Sequence, residues 1–141
     1  MLTFFAIVGL VLLSYILFKN LDMPDQIDKK PKVQVSIKNI GGEVVKDNET
    51  YVLKDNKSLK NLVLSSTLLK PNMSTRGHKH AGQEEVYYFI EGTGQIELDG
   101  VFYNVKPGDI FLIEDGVFHR VHNNINNPLY FVCVFDGKRN H

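Results

Sequence analysis

The chain has a single cysteine, Cys133, so it can build neither an internal disulfide framework nor a zinc site made of cysteines. Cys133 lies in the apolar run from Leu129 to Phe135, where it reads as a small buried hydrophobe. Net charge is missing as well. The 16 Lys and Arg balance the 16 Asp and Glu, so no overall field draws the protein to an acidic surface, and no nucleic-acid partner is expected. Internal repeats and low-complexity tracts are absent. What is present, 141 residues with 43% hydrophobic and 23% charged content, is enough for one ordinary domain with its own core and too little for two.

Charge is also lacking between Leu2 and Phe18. As a helix this stretch spans about 25 Å at 1.5 Å per residue, the short end of what crosses a bilayer. No basic residue precedes it and its exit, Tyr15 to Phe18, is bulky, so an uncleaved anchor fits better than a cleaved secretory signal. The expectation is an N-terminal hydrophobic helix, a transmembrane or signal anchor over residues 1–19. Lys19, Lys29, Lys30 and Lys32 follow the run, and the excess of positive charge on that side predicts a single-pass membrane protein with its remaining domain in the cytoplasm. Residues 20–31, polar and containing Pro24 and Pro31, read as a linker, with the folded domain over residues 32–141.

Beyond the linker, short runs rich in Val, Ile, Tyr and Phe alternate with turn residues. They predict strands at Val33–Lys38, Tyr51–Leu53, Leu62–Leu69, Glu85–Ile90, Gln95–Leu98, Val101–Asn104, Asp109–Ile113, Arg120–His122 and Leu129–Phe135. Between them stand turn signals such as Pro71-Asn72, Pro107-Gly108, Asp115-Gly116 and the two-residue hairpin pair Asp99-Gly100. Many short strands at close spacing, with no helical period, indicate an all-β sandwich or barrel.

His78-Lys79-His80 carries two imidazoles two residues apart, and in an extended segment that spacing puts both on one face. Glu85 opens a predicted strand and His119 follows the Asp115-Gly116 turn, so a carboxylate and a third imidazole can reach the same spot. This mixed nitrogen and oxygen set suits one divalent transition metal, Mn, Fe, Ni, Cu or Zn, more than Mg or Ca. Strand parity turns Tyr87 and Phe89 inward with Glu85, and Val86, Tyr88 and Ile90 outward. His122, three residues past His119, falls on the opposite face from it.

The arrangement resembles the cupin family. The first motif of that family, G-x5-H-x-H-x3,4-E-x6-G, is matched from Asn72 through His78, His80 and Glu85 to Gly92. The second, G-x5-P-x-G-x2-H-x3-N, is matched from Gly108 through Glu114, Gly116 and His119 to Asn123. Two positions depart. Asn72 replaces Gly, tolerable because Asn is the next best residue in a left-handed turn. Glu114 replaces Pro, which loosens a turn but removes no ligand. Spacing to Gly92 selects Glu85 over Glu84 as the carboxylate.

The resemblance implies a jelly-roll β-barrel with His78, His80, Glu85 and His119 as metal ligands, and a small-molecule ligand or substrate at the open metal positions. Its members include isomerases, epimerases, dioxygenases, decarboxylases and binding domains, and fold alone does not choose among them. The leading expectation is metal-assisted isomerisation or epimerisation of a small polar, carbohydrate-like or carbonyl substrate. The alternatives are a metal-dependent dioxygenase and a non-enzymatic small-ligand or metal-binding module at a membrane. Tyr87 and Tyr103 are candidate proton carriers, or simply aromatic core. Arg76 and Arg120, with Lys79, are candidate contacts for an anionic substrate, or simply solvated charges. A homodimer using Val33–Lys38 and Leu129–Phe135 is also implied.

Overall fold

The computed structural model describes residues 34–137. Nine strands form along them: β1 (Glu43–Asp47), β2 (Tyr51–Asn56), β3 (Leu62–Leu69), β4 (Glu85–Glu91), β5 (Gly94–Leu98), β6 (Val101–Val105), β7 (Ile110–Ile113), β8 (His119–His122) and β9 (Leu129–Asp136). Every pairing is antiparallel. Six strands make one sheet in the order β1-β2-β3-β9-β4-β7, and three make a second in the order β6-β5-β8. The crossovers β3-β9 and β9-β4 bring chain segments distant in sequence side by side, as a jelly-roll β-sandwich does.

The core lies on the inner faces of the two sheets. Phe89, Leu69, Ile96, Leu129 and Val121 are fully buried. Each withdraws enough apolar surface to be worth about 1.5–3 kcal/mol. Alternation is strict where the core needs it: in β4, Glu85, Tyr87 and Phe89 are buried while Val86 is exposed. Hydrogen-bonded registers Tyr87↔Cys133 and Cys133↔Ser65 carry the inner face across three strands.

Two expected elements differ. Val33–Lys38 does not form a strand: among its described residues Ser36 pairs only with Asn39, by reciprocal backbone bonds of 3.0 and 3.1 Å that close a turn. The apolar residue that anchors this stretch is Ile40, 2% exposed. The unexpected strand is β1, exposed at all five positions. An edge strand with no buried face has no apolar alternation to reveal it, and β1 also carries a bulge between Val44 and Lys46. Leu129–Phe135 is no free edge either, because β9 is bonded on both sides, to β3 and β4.

The hydrophobic helix expected over residues 1–19, the linker over 20–31 and His141 lie outside the described residues. The membrane placement is corrected. Among the described residues there is no helix long and apolar enough to cross a membrane. Burial alternates along strands such as β4 and β9, whose inner residues fill a sandwich core.

Candidate metal centre

Glu85 begins β4 on its inner face, 6% exposed. His119 begins β8 and is 2% exposed. The loop before β4 brings the other two imidazoles to them. His78 N–H donates to the His119 carbonyl at 3.0 Å and His119 N–H returns the bond to His78 at 2.9 Å. Farther back, Thr75 N–H donates to Val121 O at 2.9 Å, so the loop runs as a short extra strand beside β8. The turn that starts it needs a left-handed residue, and Asn72 takes φ 57° there. His78 and His80 then share a face because the segment between is extended.

The four side chains converge. One ligand atom from each of His78, His80, Glu85 and His119 can be chosen so that all lie within 4.8 Å of one another. His119 Nε2 is 3.1 Å from His78 Nε2 and 3.6 Å from Glu85 Oε2, and His80 Nε2 is 3.0 Å from Glu85 Oε1. Donors about 2.1 Å from an ion and at right angles around it stand about 3.0 Å apart, so the spacing fits a metal ion. The tautomer fits too. Val117 O accepts a hydrogen bond from His119 Nδ1 at 3.0 Å, which puts the proton on Nδ1 and aims the Nε2 lone pair at the cluster. Burial, and secondarily the proximity of His80, holds the His119 pKa below its ordinary value, against an opposing pull from the Val117 carbonyl. The imidazole is thus kept neutral, as a ligand must be. These four residues could hold a metal.

His80 is steadied by the turn after β7. Gly116 N–H donates to His80 O at 2.9 Å, and Asp115 Oδ1 accepts the Gly82 N–H at 2.6 Å. Asp115 therefore clamps the loop that presents His80, a role with no local sequence signal. Asn123, 1% exposed, is a structural anchor: its Nδ2 donates to Lys70 O at 3.0 Å and Asn127 O at 2.8 Å, while its Oδ1 accepts from Ile125 N–H at 3.2 Å.

A cavity of about 90 Å³ adjoins the cluster. Arg76, Arg120 and Tyr87 line it together with His78, Glu85 and His119. The Tyr87 ring stands edge-on to His119 at 5.7 Å and stacks on Phe131 at 5.3 Å. Arg120 Nε donates to Thr75 O at 2.8 Å, which fixes the guanidinium at the wall. Tyr103 is elsewhere: it pairs with Ile96 from edge strand β6, stays 44% exposed, and contacts Phe111. The wall residues outside the two motifs are Tyr51, Leu53, Thr67, Phe131 and Cys133. They come from β2, β3 and β9, and only the strand order puts them under the cluster.

Glu84 is exposed, whereas Glu85 is buried. His122 faces away from the cluster, its Nε2–H donating to Glu97 Oε2 at 2.9 Å and its Nδ1 accepting from the Ser74 hydroxyl at 2.9 Å.

Residues 66–135 match the family described as Cupin domain. An uncharacterized protein of Methanocaldococcus jannaschii is 31% identical over 94 residues, which are 59% of this chain and 75% of that protein. The oxalate-binding protein of Thermotoga maritima is 35% identical over 66 residues, 47% of this chain and 54% of the relative. The 5-aminosalicylate 1,2-dioxygenase of a Comamonas species is 32% identical over 87 residues, 62% of this chain but 23% of the enzyme. Among solved structures, a Thermotoga maritima protein described as a predicted oxalate decarboxylase superposes with a TM-score of 0.62 at 25% identity, covering 74% of this chain and 98% of that one.

Proposed function

The chain belongs to the cupin family, and from that premise we propose that His78, His80, Glu85 and His119 hold one divalent transition-metal ion and present it to a small chelating carboxylate. The observation that carries this reading is the convergence of three imidazoles and one carboxylate within 4.8 Å, with the tautomer of His119 set by Val117. An ion held there would act as a Lewis acid with positions open to a ligand. The chain's own residues supply the rest. Arg76 and Arg120 put two cationic groups on the cavity wall, favourable to an anion. Tyr87 lines the same cavity, and the stacked Phe131 ring keeps its aromatic body in place.

Size narrows the ligand. A cavity of about 90 Å³ compares with about 30 Å³ per water molecule in the liquid. It suits a dicarboxylate of a few heavy atoms, in keeping with the oxalate-binding relative. Similarity to an oxalate-binding protein and to a 5-aminosalicylate 1,2-dioxygenase favours carboxylate chelation over the isomerisation that led the expectations. A second reading, oxygen-dependent cleavage of a hydroxylated aromatic acid, draws on the salicylate dioxygenases of Comamonas and Bradyrhizobium. The matched regions are 23% and 25% of those enzymes, so their activity does not transfer with the fold.

The test is metal content and calorimetric oxalate binding by the full chain, beside a His78→Ala, His80→Ala double variant. Metal and oxalate bound by the parent and lost together in the variant is the expected result. Equal metal in both overturns the site, and metal without oxalate binding overturns the ligand. Oxygen uptake with 5-aminosalicylate would favour the second reading.

A further inference from the structure

On the outer face of the three-stranded sheet, away from the metal cluster, three side chains form a directed relay. His119 and Val121 point inward from β8, so His122 points outward. Its Nε2 lies 2.9 Å from Glu97 Oε2 and its Nδ1 2.9 Å from the Ser74 hydroxyl. A carboxylate only accepts, so the proton sits on Nε2 and the Nδ1 lone pair accepts from Ser74. A hydroxyl bonded to a base that a third group orients is the arrangement of an activated serine, whatever the chain order of its parts. The base is sheltered: His122 and Glu97 side chains are 15% and 17% exposed. The Phe102 ring, itself exposed, lies 5.4 Å from the imidazole. Ser74 stands opposite His122, where the backbone bonds run from Thr75 N–H to Val121 O and from Asn123 N–H to Met73 O. The Ser74 N–H therefore points away from β8, on the side where it can bind an oxyanion formed on its own Oγ.

The same row leads into a cleft. Ser74, His122, Gln95 and Asn104 stand side by side across the loop segment, β8, β5 and β6. At about 4.8 Å per strand, Gln95 is roughly 10 Å from Ser74. There a cleft of about 510 Å³ opens, walled by Gln95, Asn104 and Asn124. Gln95 Nε2 donates to Asn104 Oδ1 at 3.0 Å, and Asn124 Nδ2 to Gln95 Oε1 at 3.5 Å. Three amides hold more donors and acceptors than those two bonds use. The charged groups of the cleft, Lys106 and Asp109, neutralise each other at 3.1 Å. Such a wall suits an uncharged molecule carrying several hydroxyls.

We propose that Ser74, His122 and Glu97 form a hydrolytic site, distinct from the metal cluster, for acyl esters of a polyhydroxylated alcohol such as a sugar. The alcohol part lies against the amides and the acyl carbonyl reaches Ser74. Oγ bonds to the carbonyl carbon as its proton passes to His122 Nδ1, and Glu97 stabilises the imidazolium through Nε2–H. The ester C–O bond then breaks, the alcohol leaves with the proton from Nδ1, and the acyl group stays on Ser74. Water attacks that carbon and gives a proton to Nδ1. The acid departs and Oγ takes the proton back, so the sum is ester and water to acid and alcohol, with no oxidant or metal. His122 is a catalytic residue here and Glu97 a positioning one.

The experiment uses the full chain after treatment with a chelator, so that metal chemistry contributes nothing. Diisopropyl fluorophosphate is the covalent probe: Oγ bonds to phosphorus, fluoride leaves, and mass spectrometry of the digest locates the label. Acetate release from a mono-acetylated glucose, beside ethyl acetate, measures turnover. The label is expected on Ser74, with the sugar ester cleaved at least ~10-fold faster than ethyl acetate through two or more hydrogen bonds to the amides. Circular dichroism checks the fold of each variant. His122→Ala should slow labelling and turnover at least ~100-fold. Glu97→Gln should lower kcat with KM unchanged, because an amide can donate to Nε2 and shift the imidazole proton to Nδ1. No label on Ser74 of the parent overturns the site, whatever the variants do. Labelling of folded His122→Ala at the parent's rate overturns the relay, and equal rates for the two esters overturn the substrate class.

Discussion

His78 and His119 are joined twice, by reciprocal backbone hydrogen bonds of 3.0 and 2.9 Å and by Nε2 atoms 3.1 Å apart. The backbone pair fixes the distance between the two chain segments, and the side chains then have little freedom to separate. Two neutral imidazole nitrogens at this distance repel unless something positive lies between them, and a proton or a metal ion can serve. With Nδ1 of His119 occupied by Val117, the pair presents its Nε2 atoms to whatever occupies the centre.

The first prediction concerns the two ligands that differ most in exposure. His119→Ala removes a buried ligand and His78→Ala an exposed one, yet both should lower metal affinity at least ~100-fold, since each supplies one of four donor atoms. His122→Ala, on the opposite face, should leave affinity unchanged. Competition against a chromogenic chelator measures all three, and a comparable loss in His122→Ala would refute the assignment.

Asp115 should matter without touching the metal. Its carboxylate holds the Gly82 N–H at 2.6 Å and so steadies the loop bearing His80. Asp115→Ala is expected to weaken metal binding about 10–100-fold, the range for groups that orient ligands. Asp115→Asn retains an oxygen acceptor and should recover most of the affinity. Failure of the amide to rescue would mean that the carboxylate acts through its charge and not as a clamp.

The cluster of His78, His80, Glu85 and His119 was legible because its spacing is imposed by the strand. His78 and His80 must be two apart to share a face, and Glu85 rather than Glu84 falls on the inward phase of β4. Strands with a buried face, such as β4 and β9, were equally visible, since burial demands alternation, while β6, exposed over its first four residues, showed through its β-branched and aromatic residues beside the Asp99-Gly100 turn. β1 escaped notice because nothing along it is buried. Tyr103 was legible in phase and not in position: it pairs with buried Ile96, but from an edge strand that leaves it in solvent. The Asp115 clamp and the cavity wall depend on contacts between segments far apart in sequence, and no local pattern encodes those.

Asn123 should be a stability residue. Its amide joins the end of β3 to the turn before β9 through Lys70 O and Asn127 O, in a site that is 1% exposed. Asn123→Ala would strand those carbonyls and is expected to cost about 2–3 kcal/mol. Urea unfolding of the metal-free protein gives the number, and a loss under about 0.5 kcal/mol, the usual surface value, would contradict the anchor.

Acid should unfold the metal-free protein partly through His119. Its pKa in the fold is lowered, chiefly by burial and then by the nearby His80, from an ordinary value of 6.5. Between the lowered value and 6.5, the unfolded chain binds a proton at this position and the folded chain does not. Stability therefore rises with pH across that window and falls as pH drops below 6.5. The melting temperature of the chelator-treated protein should decline from about pH 7.5 to about pH 5.5. His119→Gln, which has no proton to gain, should decline less steeply. Added metal should flatten the parent's curve near neutral pH, where the ligands are deprotonated, and lose that effect in acid as protons compete for the same nitrogens. Identical slopes for the parent and His119→Gln without metal would show that burial of this imidazole is not what makes the fold sensitive to acid.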